Sequence, residues 1–549
     1  MVISGTADIA LDPILATLDA EQRAAATLPD GPAQIIAPAG SGKTTTMVAR
    51  IAVLLARGVA ADRICVVTFN RDAALDLAAR LRRRLAPTMP SATDVEVRTL
   101  HALARQVLRD AGEGAVLVAD RLPLIRAARR RTRATHPDVP ISDPAELDTL
   151  LSRWKIEGET PSGPDHMVLD AYGDLLRMRG AVDFDDLVAR AGELLDTDPR
   201  LRLRWQSRFS HVCVDEFQDV DAAQVRLVRR LAAPEDNLFV VGDDDQTIYA
   251  WRLADVRRIL RFAQEYPGAH RVMLATNYRC PATVVAASGR MVATNRERFA
   301  KPIRSPAGLA ADPGAISASD SSRPGWTDEM ASLAKREDEA GRSLCFLSRT
   351  RSELTPLLLA LVRANVRHAS SVPLIVEAEP VGTVMAAARS TSDGGHPFHV
   401  LRRIRSHHGW LRGPTGNDLL SDEDHAGLDA LMSWSVGFPT TAAFVAAFDE
   451  ARGRITALRD ADAPVELATV HGSKGREWET VVVVGFEAGR IPNARSIEEH
   501  LDPERAVEEE RRLAYVALTR ATRRLVLAFD PRRPSPFLAE MGPHAVVSR

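Results

Sequence analysis

Ile35-Ile36-Ala37-Pro38-Ala39-Gly40-Ser41-Gly42-Lys43-Thr44-Thr45 decides the fold of this 549-residue chain. Ile35 and Ile36 close a short apolar strand, and the residues from Thr45 to Ala56 have the spacing of a helix. Strand, glycine-rich loop and helix in that order make a phosphate-binding loop. Gly40 and Gly42 let the backbone turn its N–H groups toward an anion, the helix N-terminus adds a partial positive charge, and Lys43 adds a full one. Residues Ala39, Gly40, Ser41, Gly42, Lys43, Thr44 and Thr45 line the expected nucleotide site, with the Thr44 hydroxyl placed to ligate Mg²⁺. Ala37 replaces the first glycine of the general G-x-x-x-x-G-K-[ST] pattern, and the strand-loop-helix context carries the reading in its place.

Two further strands point to the same site. His211-Val-Cys-Val-Asp215-Glu216 ends in adjacent carboxylates. Asp215 is suited to hold the Mg²⁺ shell and Glu216 to polarise an attacking water. Leu238-Phe-Val-Val-Gly-Asp243-Asp-Asp-Gln246 ends in polar groups, where Gln246 can sense a γ-phosphate. Arg279 and Arg520 are candidates to stabilise the charge that spreads over a transferring phosphoryl group.

A hydrophobic fraction of 45% and a charged fraction of 26% suit a globular chain and argue against long disorder. The length predicts several folding units. The first thirty residues lack a basic segment followed by an apolar one, and no run of about 18 apolar residues occurs, so a cytoplasmic protein with no membrane contact is expected. Cys65, Cys213, Cys280 and Cys345 are widely spaced, which predicts buried thiols rather than a metal cluster. The net charge of -2 announces no polyanion partner. Two basic runs, Arg82 to Arg84 and Arg126 to Arg133, read either as solvated helix faces or as phosphate contacts.

Alternating apolar strands and amphipathic helices predict an α/β protein with two cores, each a parallel sheet carrying a mostly helical insertion. Residues 1–102 and 181–273 form the expected first core and 103–180 its insertion. Residues 274–375 and 464–549 form the second core, and 376–463 a reduced insertion with irregular stretches at Ser390 to His396 and Ser406 to Asp424. Lys301 to Glu339 reads as an extended surface connection, and the charge run Glu508 to Arg512 as a solvated helix start.

Taken in order, these segments resemble the UvrD/Rep/PcrA group of superfamily 1A DNA helicases. Leu18-Asp-Ala-Glu-Gln22 resembles the family's Q motif. Thr68-Phe69-Asn70 and Thr99-Leu-His101-Ala resemble motifs Ia and Ib, and Asp183-Phe184-Asp-Asp-Leu187 the segment returning from the first insertion. Val214-Asp215-Glu216-Phe-Gln-Asp219 and Gly242-Asp-Asp-Asp-Gln246-Thr-Ile-Tyr249-Ala-Trp251-Arg252 look like motifs II and III. Asn277-Tyr278-Arg279 resembles motif IV, Thr469-Val-His471-Gly-Ser-Lys474-Gly475-Arg-Glu477-Trp478 motif V, and Glu509-Glu-Arg-Arg-Leu-Ala-Tyr515 to Arg520 motif VI.

The resemblance implies that both cores are RecA-like P-loop NTPase domains, and it implies roles for single residues. Gln22 would read the adenine edge, Tyr278 stack on it and Glu477 bind the ribose, while Arg279 and Arg520 act as arginine fingers. Phe69, Asn70, His101, Phe184, Tyr249, Trp251, Arg252 and His471 would contact DNA. The implied activity is Mg²⁺-dependent ATP hydrolysis between the two cores, driving 3′ to 5′ movement on single-stranded DNA or on DNA with a single-stranded tail. A protein partner or loading factor is compatible with this. Stacking on aromatic rings suits a motor that grips any sequence, because every base has a π face.

Departures from the family pattern keep alternatives open. Thr45 stands where relatives carry a basic residue, which relaxes the expected nucleotide selectivity, and Leu253 stands where they commonly have glycine. Both insertions are short. The chain ends soon after motif VI, so no appended nuclease is expected. One alternative is a DNA-dependent ATPase that displaces proteins or serves as a motor subunit without unwinding; another is a nucleotide-gated binding module.

Overall fold

The computed structural model describes residues 5–309, 312–370, 378–391, 395–411, 420, 422–542 and 547–548. The expected start of the second insertion at 376, and much of its irregular sequence, lie outside them. The chain divides into two units, Met1–Tyr278 with Glu297–Arg304, and Arg279–Arg296 with Ser305–Arg549.

The first unit contains, in chain order, β1 (Ala33–Ile36), β2 (Ile64–Thr68), β3 (Glu96–Thr99), β4 (Val116–Leu117), β5 (Ala181–Val182), β6 (His211–Val214), β7 (Leu238–Gly242) and β8 (His270–Met273). Six of these make one sheet in the order β3-β2-β6-β7-β1-β8. Every pairing in it is parallel, with Ile36 opposite Gly242 and Val67 opposite Val214. Strands such as β1, β2, β6 and β7 are buried along their whole length, as helices on both faces require. One face packs against Met47, Ile51 and Leu54 of the helix Lys43–Ala56, the other against Leu227, Trp205 and Ile259.

The short pair β4–β5 leads to three helices, Leu122–Thr135, Pro144–Ser152 and Asp165–Met178. They bury Ile125, Leu147, Leu151 and Tyr172 in a core of their own. The helix Leu100–Asp110, which spans the expected boundary at 102/103, instead sends Leu103, Ala104 and Val107 into the core of the first sheet.

The second unit contains β9 (Ile316–Asp320), β10 (Leu344–Ser348), β11 (Ala369–Ser370), β12 (Val465–Thr469), β13 (Trp478–Val484), β14 (Ala521–Phe529) and β15 (Val547–Ser548). They form a second all-parallel sheet in the order β11-β12-β10-β13-β14-β9-β15. Helices Glu379–Ser390, Pro397–His407 and Thr441–Leu458 share one apolar core with this sheet, through Val384, Leu401 and Phe448 packed with Phe346 and Leu467.

Two sequence expectations are corrected. Lys301 to Glu339 is not a surface connection. It begins with a buried Lys301, then supplies β9 and the helix Trp326–Glu339, whose Trp326, Met330 and Ala334 are buried. Its Ser, Pro and Asp content masked one short strand and one helical face. Nor is Glu508 to Arg512 solvated. It lies inside the helix Pro503–Leu518, where Glu510 pairs with Arg349, Arg511 with Glu540 and Arg512 with Glu508. Burial is tolerable because each charge has its counter-charge. Arg82, Arg83 and Arg84 occupy the exposed last turn of the helix Arg71–Arg84, where cations complement the helix dipole. All four cysteines are buried and free. Among the described residues no helix is long and apolar enough to cross a membrane.

Candidate functional site

Parallel strands carry their C-terminal ends to one edge of a sheet, and ligands of open α/β sheets bind at that edge. The phosphate loop follows β1, Phe69 follows β2, His101 follows β3, Asp215 and Glu216 follow β6, and Asp243 to Gln246 follow β7. Residues scattered over more than two hundred positions therefore meet at one rim of the first unit.

Gly40 and Gly42 have φ of 67° and 82°, a conformation that costs an L side chain about 1 kcal/mol or more. Gly42 is constrained twice, because a Cβ there would meet Gln22 Nε2 at 2.5 Å. Lys43 begins the helix and its ammonium donates to the Ala37 carbonyl at 3.0 Å. Thr44 and Thr45 sit in the first helical turn. Gln22 closes a capping box with Asp19: its N–H donates to Asp19 Oδ1 at 2.7 Å, and its Oε1 accepts from Asp19 N–H at 3.2 Å. Its Nε2 donates to the Ser41 carbonyl at 2.9 Å, so the Q-motif glutamine is tied to the phosphate loop. Tyr278 joins the same corner, its hydroxyl donating to Asp19 Oδ2 at 2.7 Å and its N–H to the Gly40 carbonyl at 2.9 Å. The residue is 52% exposed, which leaves ring surface for stacking.

Glu216 adopts φ 52° and ψ 43°, the left-handed region that non-glycine residues rarely occupy. Its N–H donates to Asp215 Oδ1 at 3.0 Å, and its carboxylate accepts from Gln218 Nε2 at 2.6 Å. Gln218 Oε1 in turn accepts from Asp243 N–H at 2.9 Å, and Asp243 Oδ2 accepts from Gln246 Nε2 at 2.7 Å. Glu216 and Gln246 thus hang on one hydrogen-bond chain. Gly242 makes room for it, since a Cβ there would lie 2.6 Å from Gln218 Oε1 and 2.7 Å from Ile259 Cδ1.

Three carboxylates in a row follow β7, and Lys301 faces all three while Arg298 pairs with Asp245. Burial alone would raise Asp243, yet Lys301 and Lys43 hold it below the usual carboxylate range. Asp244 is pushed the other way, by burial first and by Asp245 and Asp243 beside it. Burial opposes the Lys301 charge, but the three aspartates overcome it and raise its pKa. Sequence reasoning missed Lys301, Arg298 and Gln218. Gln218 stood inside a quoted motif, whereas Lys301 lies 58 residues beyond Asp243 with no spacing signal.

The aromatic residues lie on the same rim. Phe69 stacks on Tyr249 with centroids 4.7 Å apart and planes 20° apart, and Tyr249 meets Trp251 at 6.3 Å. The Arg252 guanidinium lies 4.6 Å over the Trp251 ring. His101 meets Phe184 edge-on at 5.6 Å, and burial lowers its pKa. Trp251 is 63% and Phe184 43% exposed, unusual for large rings in a chain with so few aromatics. Asn70 spends its side chain as a helix cap, accepting from Ala73 N–H at 2.8 Å.

The second unit holds the remaining candidates. Arg279 Nε donates to Glu477 Oε2 at 2.5 Å. Arg520, 1% exposed, donates to the carbonyls of Val516 at 3.0 Å and Arg476 at 3.2 Å, which brings it beside Glu477 in the chain. His471 lies in the short turn after β12. The donors expected from the sequence for a cation are one hydroxyl, Thr44, and one carboxylate, Asp215. Few protein oxygens with the rest left to water and phosphate suit Mg²⁺.

Two parallel RecA-like sheets, one opened by a phosphate-binding loop, define the class of P-loop nucleotide-dependent proteins. The UvrD/REP helicase N-terminal domain family matches residues 18–267 and the UvrD-like helicase C-terminal domain family matches residues 452–530. The chain belongs to the UvrD/Rep/PcrA-like helicases. It is 29% identical to ATP-dependent DNA helicase UvrD2 of Mycobacterium tuberculosis, over 97% of this chain and 83% of the relative. It is 27% identical to DNA helicase II of Escherichia coli, over 97% and 88%, and 27% to ATP-dependent DNA helicase PcrA of Leuconostoc citreum, over 95% and 84%.

Proposed function

We propose that the chain is an ATP-dependent DNA helicase that hydrolyses ATP with Mg²⁺ and moves 3′ to 5′ along single-stranded DNA. Gln22, Tyr278 and Glu477 are assigned to the nucleoside, and the loop from Ala39 to Thr45 to the phosphates. Thr44 and Asp215 would hold Mg²⁺, whose contribution when bound is to neutralise phosphate charge. Glu216 accepts a proton from the attacking water and Gln246 orients that water. Lys43, Arg279 and Arg520 stabilise the transferring phosphoryl group. Phe69, Tyr249, Trp251 and Phe184 stack bases, while His101, Asn70, Arg252 and His471 contact the strand. A cytoplasmic setting fits four thiols kept free and buried.

The observation that carries this reading is the chain from Glu216 through Gln218 and Asp243 to Gln246. A switch that merely binds nucleotide has no need of an acid held in a strained backbone and bonded to the sensor. The test is ATP turnover by the purified chain without nucleic acid, with single-stranded DNA and with single-stranded RNA. DNA should stimulate turnover strongly, and Glu216→Gln should reduce it roughly 100-fold or more while ATP still binds. Turnover indifferent to DNA would overturn the reading.

A further inference from the structure

Lys301 sits in a stretch with no recognisable motif, yet its ammonium is 1% exposed and faces three consecutive carboxylates. Nζ lies 2.9 Å from Asp243 Oδ1 and 2.9 Å from Asp245 Oδ2, and donates also to Asp244 Oδ1. Arg298 grips Asp245 with two bonds of 3.0 and 2.8 Å, and Phe299 N–H donates to Asp244 Oδ2 at 2.8 Å. Ammonium, guanidinium and backbone thus clamp the residues that run directly into Gln246.

Buried ion clusters of this kind seldom stabilise more than well-packed apolar side chains would, so stability is a weak reason for one. What they do well is fix geometry. Asp243 has two carboxylate oxygens with different partners, Lys301 and the Asp245 N–H on Oδ1, at 2.9 and 3.2 Å, and Gln246 Nε2 on Oδ2. Its N–H reaches Glu216 through the Gln218 amide. A carboxylate pinned at one oxygen cannot rotate to give Gln246 a different partner. Because the Gln246 amide donates into Asp243 through Nε2, the orientation of that carboxylate sets the orientation of the amide.

We propose that Lys301 is a positioning residue for ATP hydrolysis, acting through Asp243 on Gln246. The inference rests on the hydrolase reading above and extends it by one residue. Removing the Lys301 ammonium leaves Asp243 Oδ1 with the Asp245 N–H alone, at 3.2 Å, so the carboxylate that anchors Gln246 is held less firmly.

The test compares wild type, Lys301→Met, Gln246→Ala and their combination in DNA-stimulated ATP turnover. A fifth protein, Lys301→Met with Asp244→Asn, restores the buried charge balance and guards against simple unfolding. Thermal melting and binding of a fluorescent ADP analogue are measured on each. The expected result is a fall in kcat of about tenfold or more for Lys301→Met and for the balanced pair. KM for ATP and ADP affinity should stay within about twofold, and adding Lys301→Met to Gln246→Ala should cost little beyond Gln246→Ala alone, because the two act as a unit. A balanced pair that melts like wild type and retains full kcat would overturn the proposal. So would losses that multiply in the combined variant, or losses that appear in nucleotide affinity rather than in kcat. A wild-type chain with no DNA-stimulated turnover would sink the hydrolase reading and this one with it, whereas active wild type with active variants sinks only the role of Lys301.

Discussion

Gly242 shows how one atom controls the chemistry. The position closes β7, and the space its missing Cβ leaves is filled by Gln218 Oε1 and Ile259 Cδ1. Gly242→Ala is expected to displace Gln218 from both Glu216 and Asp243. Overpacking of this kind costs about 1–3 kcal/mol. Denaturant unfolding should show that loss, and ATP turnover should fall while ADP analogue binding persists; unchanged turnover would mean that Gln218 does not matter to Glu216. Trp251 is the residue to which the proposed function gives the corresponding part in DNA stacking, exposed and backed by Tyr249 and Arg252. Truncation to alanine removes one stacking surface of about 1–3 kcal/mol. Fluorescence anisotropy with a short oligonucleotide should therefore show single-stranded DNA affinity weakened by roughly five- to 100-fold, with ATP affinity unchanged. Leu253 illustrates the limits of pattern. It stands at φ 61°, the left-handed conformation that glycine adopts without strain, and holds it while packed against the core and accepting from Arg258.

At the scale of elements, caps carry much of the site's placement. Asp19 starts the helix Ala20–Ala26 and Asp183 the helix Phe184–Thr197, both through capping boxes, and each helix delivers a candidate residue, Gln22 and Phe184. Asp221 caps the helix Ala222–Ala232 by accepting from Gln224 N–H at 2.8 Å, but burial pushes its carboxyl up to about 6. The unfolded chain ionises this group near 4. Between about pH 4 and 6 the folded protein keeps a proton that the unfolded chain has released, so this contribution to stability is full below that window and is lost as pH rises through it. Asn caps as well as Asp. Asp221→Asn should accordingly raise stability at pH 8 by about 1–3 kcal/mol and bring no gain at pH 4. Thermal melting at the two pH values decides it, and an equal gain at both would remove the titration as its cause. The two helical insertions differ at this scale too. Residues from Ile125 to Leu176 pack a core of their own, while Val384, Leu401 and Phe448 join the core of the second sheet.

For the whole molecule the decisive measurement is strand displacement. With a net charge of -2, long-range attraction for DNA is weak, and the proposed function rests the grip on the exposed aromatic rim of the first unit. A duplex with a 3′ single-stranded tail should be unwound with ATP and one with a 5′ tail should not. Equal unwinding of both would overturn the direction. Vigorous DNA-stimulated hydrolysis with displacement of neither would leave a translocase that strips proteins or drives a larger complex.

The sequence by itself determined the parallel α/β class, the phosphate loop and the order of the motifs, because these depend on local patterns: an apolar strand, two glycines and a lysine at fixed spacing, carboxylates at strand ends. Ile35, Asp215 and Gln246 announce themselves within a dozen residues each. Only the tertiary structure decided what binds to what across long separations. Lys301 meets Asp243 over 58 positions, Glu510 meets Arg349 over 161, and Ile316–Asp320 becomes a strand between β14 and β15 despite its polar composition. Burial and counter-charge are properties of the folded neighbourhood, and no window of sequence contains them.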